Sequence, residues 1–279
     1  MSIKELIIKE NIKAKKKFGQ NFLIDNNILT NIVTKADIKN KNVIEIGPGL
    51  GSLTDYLIKE AKKVVCYEID KDMVDILDGK YKENDIVTIL FKDFLKANLT
   101  EDINKYFNDE EVVVVANLPY YITTAILTKI LEETKKVKRI VVMVQKEVAM
   151  RLAGKPSTKD YNSLSVLIQY YTNVKILFNV SPKSFIPAPE VDSSVIMIDK
   201  KDALQETLDE AYLLKFNRAI FAQRRKTLSN NLKQAFKYSQ EDIINVLNKF
   251  NLSPSVRAES LTVEQIVNLS NEFYKLHIK

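Results

Sequence analysis

Asn42-Val43-Ile44-Glu45-Ile46-Gly47-Pro48-Gly49-Leu50-Gly51 is a short, mostly apolar run broken off by alternating glycines. β-Branched residues bounded by turn formers predict a buried strand that stops at Gly47. Glycine after it allows positive φ and close approach of the backbone to a ligand. A helix over Leu53–Glu60 is expected next. Working outward, the same alternation recurs. Further strands are predicted at Val64–Ile69, Ile86–Phe91, Val112–Ala116 and Ile140–Val144, with a last one at Ser194–Ile198. Helical segments such as Ile24–Lys35 and Lys71–Leu77 lie before and between them. Strand alternating with helix means an α/β fold, a parallel sheet with helices on both faces.

The functional groups of such a sheet gather beyond the carboxyl ends of its strands. The spacing here is G-x-G-x-G rather than the dinucleotide G-x-G-x-x-G, and the loop alone leaves a nicotinamide dinucleotide open. Glu68 ends the second strand, 21 residues after Gly47, close to the separation of about 20 of a ribose-binding carboxylate. Asp93 follows the third strand, where a carboxylate can accept an adenine amino group. Each acid alone is equally a helix cap. Together, at the ends of strands one to three, they form the pattern of an S-adenosylmethionine (SAM) crevice.

Asn117-Leu118-Pro119-Tyr120 closes the fourth strand, and it has no part in hydride transfer. Methylases of exocyclic amino groups use an Asn-x-Pro-aromatic turn at this place. The adenine N6 lone pair is delocalised into the ring, so the amine is a poor nucleophile. The Asn117 side-chain oxygen and the Leu118 carbonyl can each accept one N–H and free that lone pair. Pro119 fixes the turn and removes a competing donor. Tyr120 offers a flat face to a displaced base.

Composition narrows the partners. The 279 residues carry 42 basic and 36 acidic side chains, a formal charge of +6. Six lysines fall in residues 1–20, Lys16 and Lys17 among them, and seven basic groups with no acid in 211–240, including Arg224, Arg225 and Lys226. Clusters of this kind favour a polyanion. If the triplet lies on a helix, its side chains fan over roughly 200° and cannot all enter one core. A single cysteine, Cys66, excludes an internal disulfide, and with the single His277 in the tail it leaves no Cys/His zinc site and no histidine triad. No metal is expected. No stretch approaches the roughly 20 apolar residues of a membrane span, and the amino terminus lacks a long apolar signal region. A cytoplasmic protein is therefore expected. After residue 199 the apolar spacing is helical throughout, with a capping box expected at Thr262 and Gln265. The expected division is 1–200, with a basic arm at 1–23, and a small all-α domain at 201–279.

Several blocks resemble the rRNA adenine-N6 dimethyltransferases: Lys17-Phe18-Gly19-Gln20-Asn21-Phe22-Leu23, Ile46–Thr54, Asn117–Tyr121, Gln145–Val148, Tyr161–Val166, Phe185–Ser193 and Phe221–Leu228. Gln223-Arg224-Arg225-Lys226-Thr227 is similar to the bacterial small-subunit type rather than the large-subunit resistance type. The resemblance implies a Rossmann-like class I SAM-dependent methyltransferase domain followed by the helical domain. It implies SAM-dependent dimethylation of two adjacent adenosines in the 3′-terminal hairpin loop of 16S rRNA, in the 30S subunit or its precursor, by a monomer. Carried over by position, Asn21, Leu23, Gly47, Gly49, Glu68, Asp93 and Asn117 would hold SAM. Asn117, Leu118, Pro119, Tyr120 and Phe185 would hold the base, Phe185 by packing on it. Lys16, Lys17, Arg224, Arg225 and Lys226 would grip RNA in the site and the helical domain. Ser229 stands where many relatives carry arginine, which is expected to weaken RNA contact there. The rivals are a 23S rRNA adenine-N6 methylase, a non-catalytic assembly factor of the small subunit, and a DNA adenine methylase, from which Leu118 departs.

Overall fold

The computed structural model describes residues 3–9, 12 and 14–278. The Lys16 side chain, an expected RNA contact, lies outside the described residues. The strands are β1 (Phe22–Leu23), β2 (Asn42–Ile46), β3 (Lys63–Glu68), β4 (Val87–Phe91), β5 (Val112–Asn117), β6 (Val137–Gln145), β7 (Thr172–Val180), β8 (Phe185–Ile186) and β9 (Ser193–Lys200).

Seven of them form one sheet in the order β4-β3-β2-β5-β6-β9-β7. The first five run parallel, with β2 paired to both β3 and β5. The parallel reading fails at β9, which runs antiparallel to β6 from Arg139↔Asp199 to Gln145↔Ser193. β7 had no counterpart in the sequence reading; its exposed and half-buried residues do not alternate cleanly, so period-two patterning is weak there. Ile44, in register with Val65 and Val114, is wholly buried. Truncating such a side chain to alanine costs about 2–5 kcal/mol. Chain order reverses at β2, where β3 lies on one side and β5 on the other. Ligands bind beyond the strand ends at such a switch point.

The chain divides into two compact units, residues 1–149 with 175–200 and residues 150–174 with 201–279. The expected boundary near 200 is one of three crossings: residues 150–174, expected with the first domain, group with the later helices. That segment supplies the helix Ser163–Tyr171, which is opened by an Asn162–Ser165 capping box. The later helices of the second unit are Glu210–Ile220, Leu228–Ala235, Gln240–Lys249 and Val263–His277. The last begins with the Thr262–Gln265 capping box. The core of this unit is aromatic, with Phe216 and Phe236 against Tyr212 and Phe273 against Phe216. His277 is exposed, yet its ring also lies 5.3 Å from that of Tyr212.

In the first unit, helix Asn26–Ala36 starts at Asp25, whose carboxylate accepts from the amides of Asn27 and Ile28. The helix expected after the glycine loop is a single turn, Thr54–Leu57. The described part of the basic arm contains the helix Ile3–Lys9. Among the described residues no helix is long and apolar enough to cross a membrane.

Candidate active site

One cavity of about 260 Å³ opens over the carboxyl ends of β2, β3, β4 and β5. Its walls contain Asn21, Leu23, Gly47, Gly49, Glu68, Asp93, Asn117, Leu118, Pro119 and Tyr120. Ten residues expected from separate stretches of sequence thus share one site.

The glycine loop forms its floor. Gly47 has φ +68°, and a Cβ built there would meet nothing nearer than the Pro119 ring, 4.0 Å away. A side chain would enter the space a ligand needs. Gly49 has φ +56°, and a Cβ there would lie 3.2 Å from the Phe22 ring. The Gly49 amide donates to Glu68 Oε2 at 3.1 Å. Glu68 is only 5% exposed, and its Oε1 accepts from the Ile69 and Asp70 amides, both at 2.9 Å. Burial raises its pKa, and these three amides oppose the rise. Asp93 caps the short 3-10 turn Phe94–Lys96, with Oδ1 accepting from the Leu95 amide at 3.0 Å. It is therefore a cap and a cavity wall at once. Phe94, Leu95 and Ile69 line the same region, a mixture of apolar surface and an acid that suits a purine with its amino group. The donors, the acids and the space left at Gly47 fit a nucleoside cofactor such as SAM.

Glu45 also faces the cavity and is 2% exposed. Thr54 Oγ1 donates to its Oε2 at 2.7 Å. Burial pushes its pKa up to about 7.

At the other end, Asn117 Nδ2 donates to the Asn21 carbonyl at 3.1 Å. A carbonyl can only accept, so the amide presents its NH₂ to Asn21. No donor reaches Asn117 Oδ1 or the Leu118 carbonyl among the described residues. The Leu118 amide donates to the Met143 carbonyl at 3.1 Å, tying the turn to β6. Tyr120 is half-buried, and its hydroxyl lies 2.6 Å from Ser193 Oγ. Tyr121, 63% exposed, also lines the cavity. In the sequence, the doubled aromatic Tyr120-Tyr121 is the only signal for a part of Tyr121 in the site. Gln20 and Lys92 were likewise missed. Lys92 bonds Asp102 Oδ2 at 2.7 Å, and Tyr67, another wall residue, donates to the same oxygen at 2.9 Å.

Phe185 is a correction. It does not line the cavity; it is 3% exposed, opposite Leu23 across the β1–β8 bridge, in the core with Val180 and Val195. It supports the arm from below instead of offering a face to a base. The basic triplet does not lie on the helix considered for it. Arg224, Arg225 and Lys226 are exposed but lie in the turn between Ile220 and Leu228, not on a helix. Arg224 Nε bonds Glu259 Oε2 at 2.9 Å, while Arg225 and Lys226 have no ion-pair partner among the described residues. Ser229 is buried and donates to the Pro254 carbonyl at 3.1 Å. Lys17 is exposed, its ammonium 4.6 Å from the Phe18 ring centroid.

Residues 11–275 match the family described as ribosomal RNA adenine dimethylase. A Bacillus cytotoxicus protein named ribosomal RNA small subunit methyltransferase A is 48% identical over 274 residues, covering 96% of this chain and 94% of that protein. A Bacillus cereus protein of the same name is 47% identical over the same shares. Among solved structures, a dimethyladenosine transferase from Plasmodium falciparum superposes with a TM-score of 0.78 at 24% identity, over 91% of this chain and 98% of that one. The 23S rRNA methyltransferase ErmE gives 0.71 at 24%, over 90% and 99%. Both share the fold, the class I SAM-dependent methyltransferase architecture.

Proposed function

Because the chain belongs to the ribosomal RNA adenine dimethylase family, we propose that it dimethylates N6 of two adjacent adenosines in the 3′-terminal hairpin loop of 16S rRNA. The substrate is the 30S particle or its precursor, in the cytoplasm, and the enzyme works as a monomer. The observation that carries this reading is the single cavity bounded at one end by Glu68 and Asp93 and at the other by Asn117-Leu118-Pro119-Tyr120. A nucleoside cofactor and a target base can meet there and nowhere need to travel. The names of the Bacillus relatives favour the small subunit over 23S rRNA.

SAM supplies the methyl group as an electrophilic sulfonium. Glu68 would hold its ribose hydroxyls and Asp93 its adenine amino group, and Gly47, Gly49, Asn21 and Leu23 would line its place. The target adenosine leaves its stack at a cost of a few kcal/mol, least in a single-stranded loop. Asn117 Oδ1 and the Leu118 carbonyl accept the two N6 hydrogens, drawing the lone pair out of conjugation. Tyr120 stands beside the base, and Tyr121 offers an exposed ring for a neighbouring one. N6 bonds the methyl carbon as the carbon–sulfur bond breaks, the sulfonium leaves as a neutral thioether, and the resulting acidic ammonium gives its proton to solvent, so no strong base is required. Catalysis is then mainly orientation with hydrogen bonds that tighten in the transition state. The unit of residues 1–149 and 175–200 carries this chemistry. Lys17, Arg225 and Lys226 are exposed and would meet phosphates, and the helical unit serves as the RNA-binding part.

The test is transfer of labelled methyl from SAM to undermethylated 30S particles, with 50S particles and Asn117→Ala as comparators. Label recovered as N6,N6-dimethyladenosine in 16S rRNA, and lost in the variant, is expected. Label on 23S rRNA, or 30S binding with no label, would overturn the assignment.

A further inference from the structure

Asp70, at the end of β3, caps the helix Lys71–Tyr81 and is 2% exposed. Its Oδ1 accepts from the Asp72 amide at 3.2 Å. Its other partners come from the arm, some 50 residues earlier in the chain. The Lys15 ammonium reaches Oδ1 at 2.6 Å and also Asp72 Oδ2 at 2.6 Å. Gln20 Nε2 donates to Oδ2 at 2.8 Å. Gln20 is engaged at both ends of its amide, since Oε1 accepts from the Lys15 backbone amide at 2.8 Å. Burial alone would raise the Asp70 pKa, but Lys15 and Gln20 outweigh it and hold the carboxylate ionised. A buried carboxylate stripped of such partners is strongly destabilised, so the arm is fastened at residue 20.

Two residues later the arm is fastened again, as Phe22 and Leu23 pair with Ile186 and Phe185. Asn21 lies between the two fastenings, and its carbonyl receives Asn117 Nδ2. The two ends of a carboxamide have nearly the same shape but opposite hydrogen-bonding character. Turned over, Asn117 would present N–H to an amine that also presents N–H. Among the described residues, the Asn21 carbonyl is what selects the orientation.

We propose that Gln20 is a positioning residue for methyl transfer: anchored on Asp70, it holds the Asn21 carbonyl against Asn117, so that the amide turns its acceptor oxygen to the N6 of the substrate. This rests on the functional reading above. Gln20 lines the cavity, but both ends of its amide are engaged by Lys15 and Asp70, and in this role it acts through Asn117.

Gln20→Glu keeps the shape but sets a carboxylate against Asp70. At saturating SAM and RNA, kcat is expected to fall ten- to hundred-fold, the scale of an angstrom-sized misplacement. Combined with Asp70→Asn, the bond returns with donor and acceptor exchanged, and kcat is expected to recover to within about three-fold of wild type, the most that distortion of a remade bond should cost. In an Asn117→Ala background, Gln20→Glu should change kcat no further, the signature of two residues acting as one. Gln20→Ala, which adds no charge, repeats the coupling test should a charged variant fail to fold. The side-chain amide resonances of Asn117, read by ¹⁵N NMR of the free protein, should shift in Gln20→Glu and return in the exchanged pair. Equal losses with and without Asn117, or unmoved Asn117 resonances, would overturn the proposal. The NMR arm tests it even if 16S rRNA proves not to be the substrate, which only the methylation assay decides.

Discussion

The strand ends around the cavity and the basic turn at 224–226 both carry charged or polar groups expected to meet substrate, yet they are built differently. Glu68 is held by three amides, Asp93 by the turn it caps, and Asn117 by a carbonyl from the arm. Arg225 and Lys226 are exposed, and their side chains have no ion-pair partner among the described residues. Chemistry at N6 needs an atom in one place, and preorganised groups cost no rearrangement when the reaction occurs. Attraction to a phosphate backbone needs charge within a Debye length, and a mobile side chain supplies that. Substitutions in the first region should therefore change turnover, and those in the second the salt dependence of RNA binding.

The sharpest attempt to break this contrast is Asn117→Ala. Its kcat should drop about 10²–10³-fold, by analogy with loss of one transition-state hydrogen bond, while SAM affinity measured by calorimetry changes only a few-fold. A weakened KM for RNA with intact kcat would erase the distinction. Glu45→Gln probes what burial at the strand ends costs. The Glu45 carboxyl has its pKa raised to about 7 in the fold, so its stabilising, protonated form is fully present below about 4.5 and is lost as pH rises through about 7. Wild-type stability should fall over that window, and the amide variant should fall less, ending up to about 3 kcal/mol more stable near pH 8. Denaturant titrations at pH 5 and pH 8 would read the difference. Tyr121 stands between the two designs, at the cavity but exposed. Tyr121→Ala should raise KM for RNA about ten-fold, within the 1–3 kcal/mol of a lost base stack, and Tyr121→Phe should restore it. The smallest effect belongs to the turn. Arg225→Ala with Lys226→Ala should leave kcat intact and reduce the slope of log affinity against log salt by about 1.4, roughly 0.7 per phosphate contact on single-stranded RNA. An unchanged slope would remove the turn from the RNA surface.

What could be read in advance was local. The run Val43–Ile46 with its glycine break, the acids at Glu68 and Asp93, and the turn at Asn117–Tyr120 each announce themselves within a few residues, because strand periodicity and turn chemistry are short-range properties. The capping box at Thr262 and Gln265 is of the same kind. What tertiary structure alone decided was pairing between distant segments. β1 meets β8 across more than 160 residues, and that pairing buries Phe185 under the arm. Lys15 and Gln20 find Asp70 across 55 and 50 residues. Residues 150–174 join helices that begin at 210, and β9 turns antiparallel beside β6. No periodicity encodes such choices. They follow from which apolar faces fit together and which buried polar groups find partners, and both are settled only when the whole chain packs.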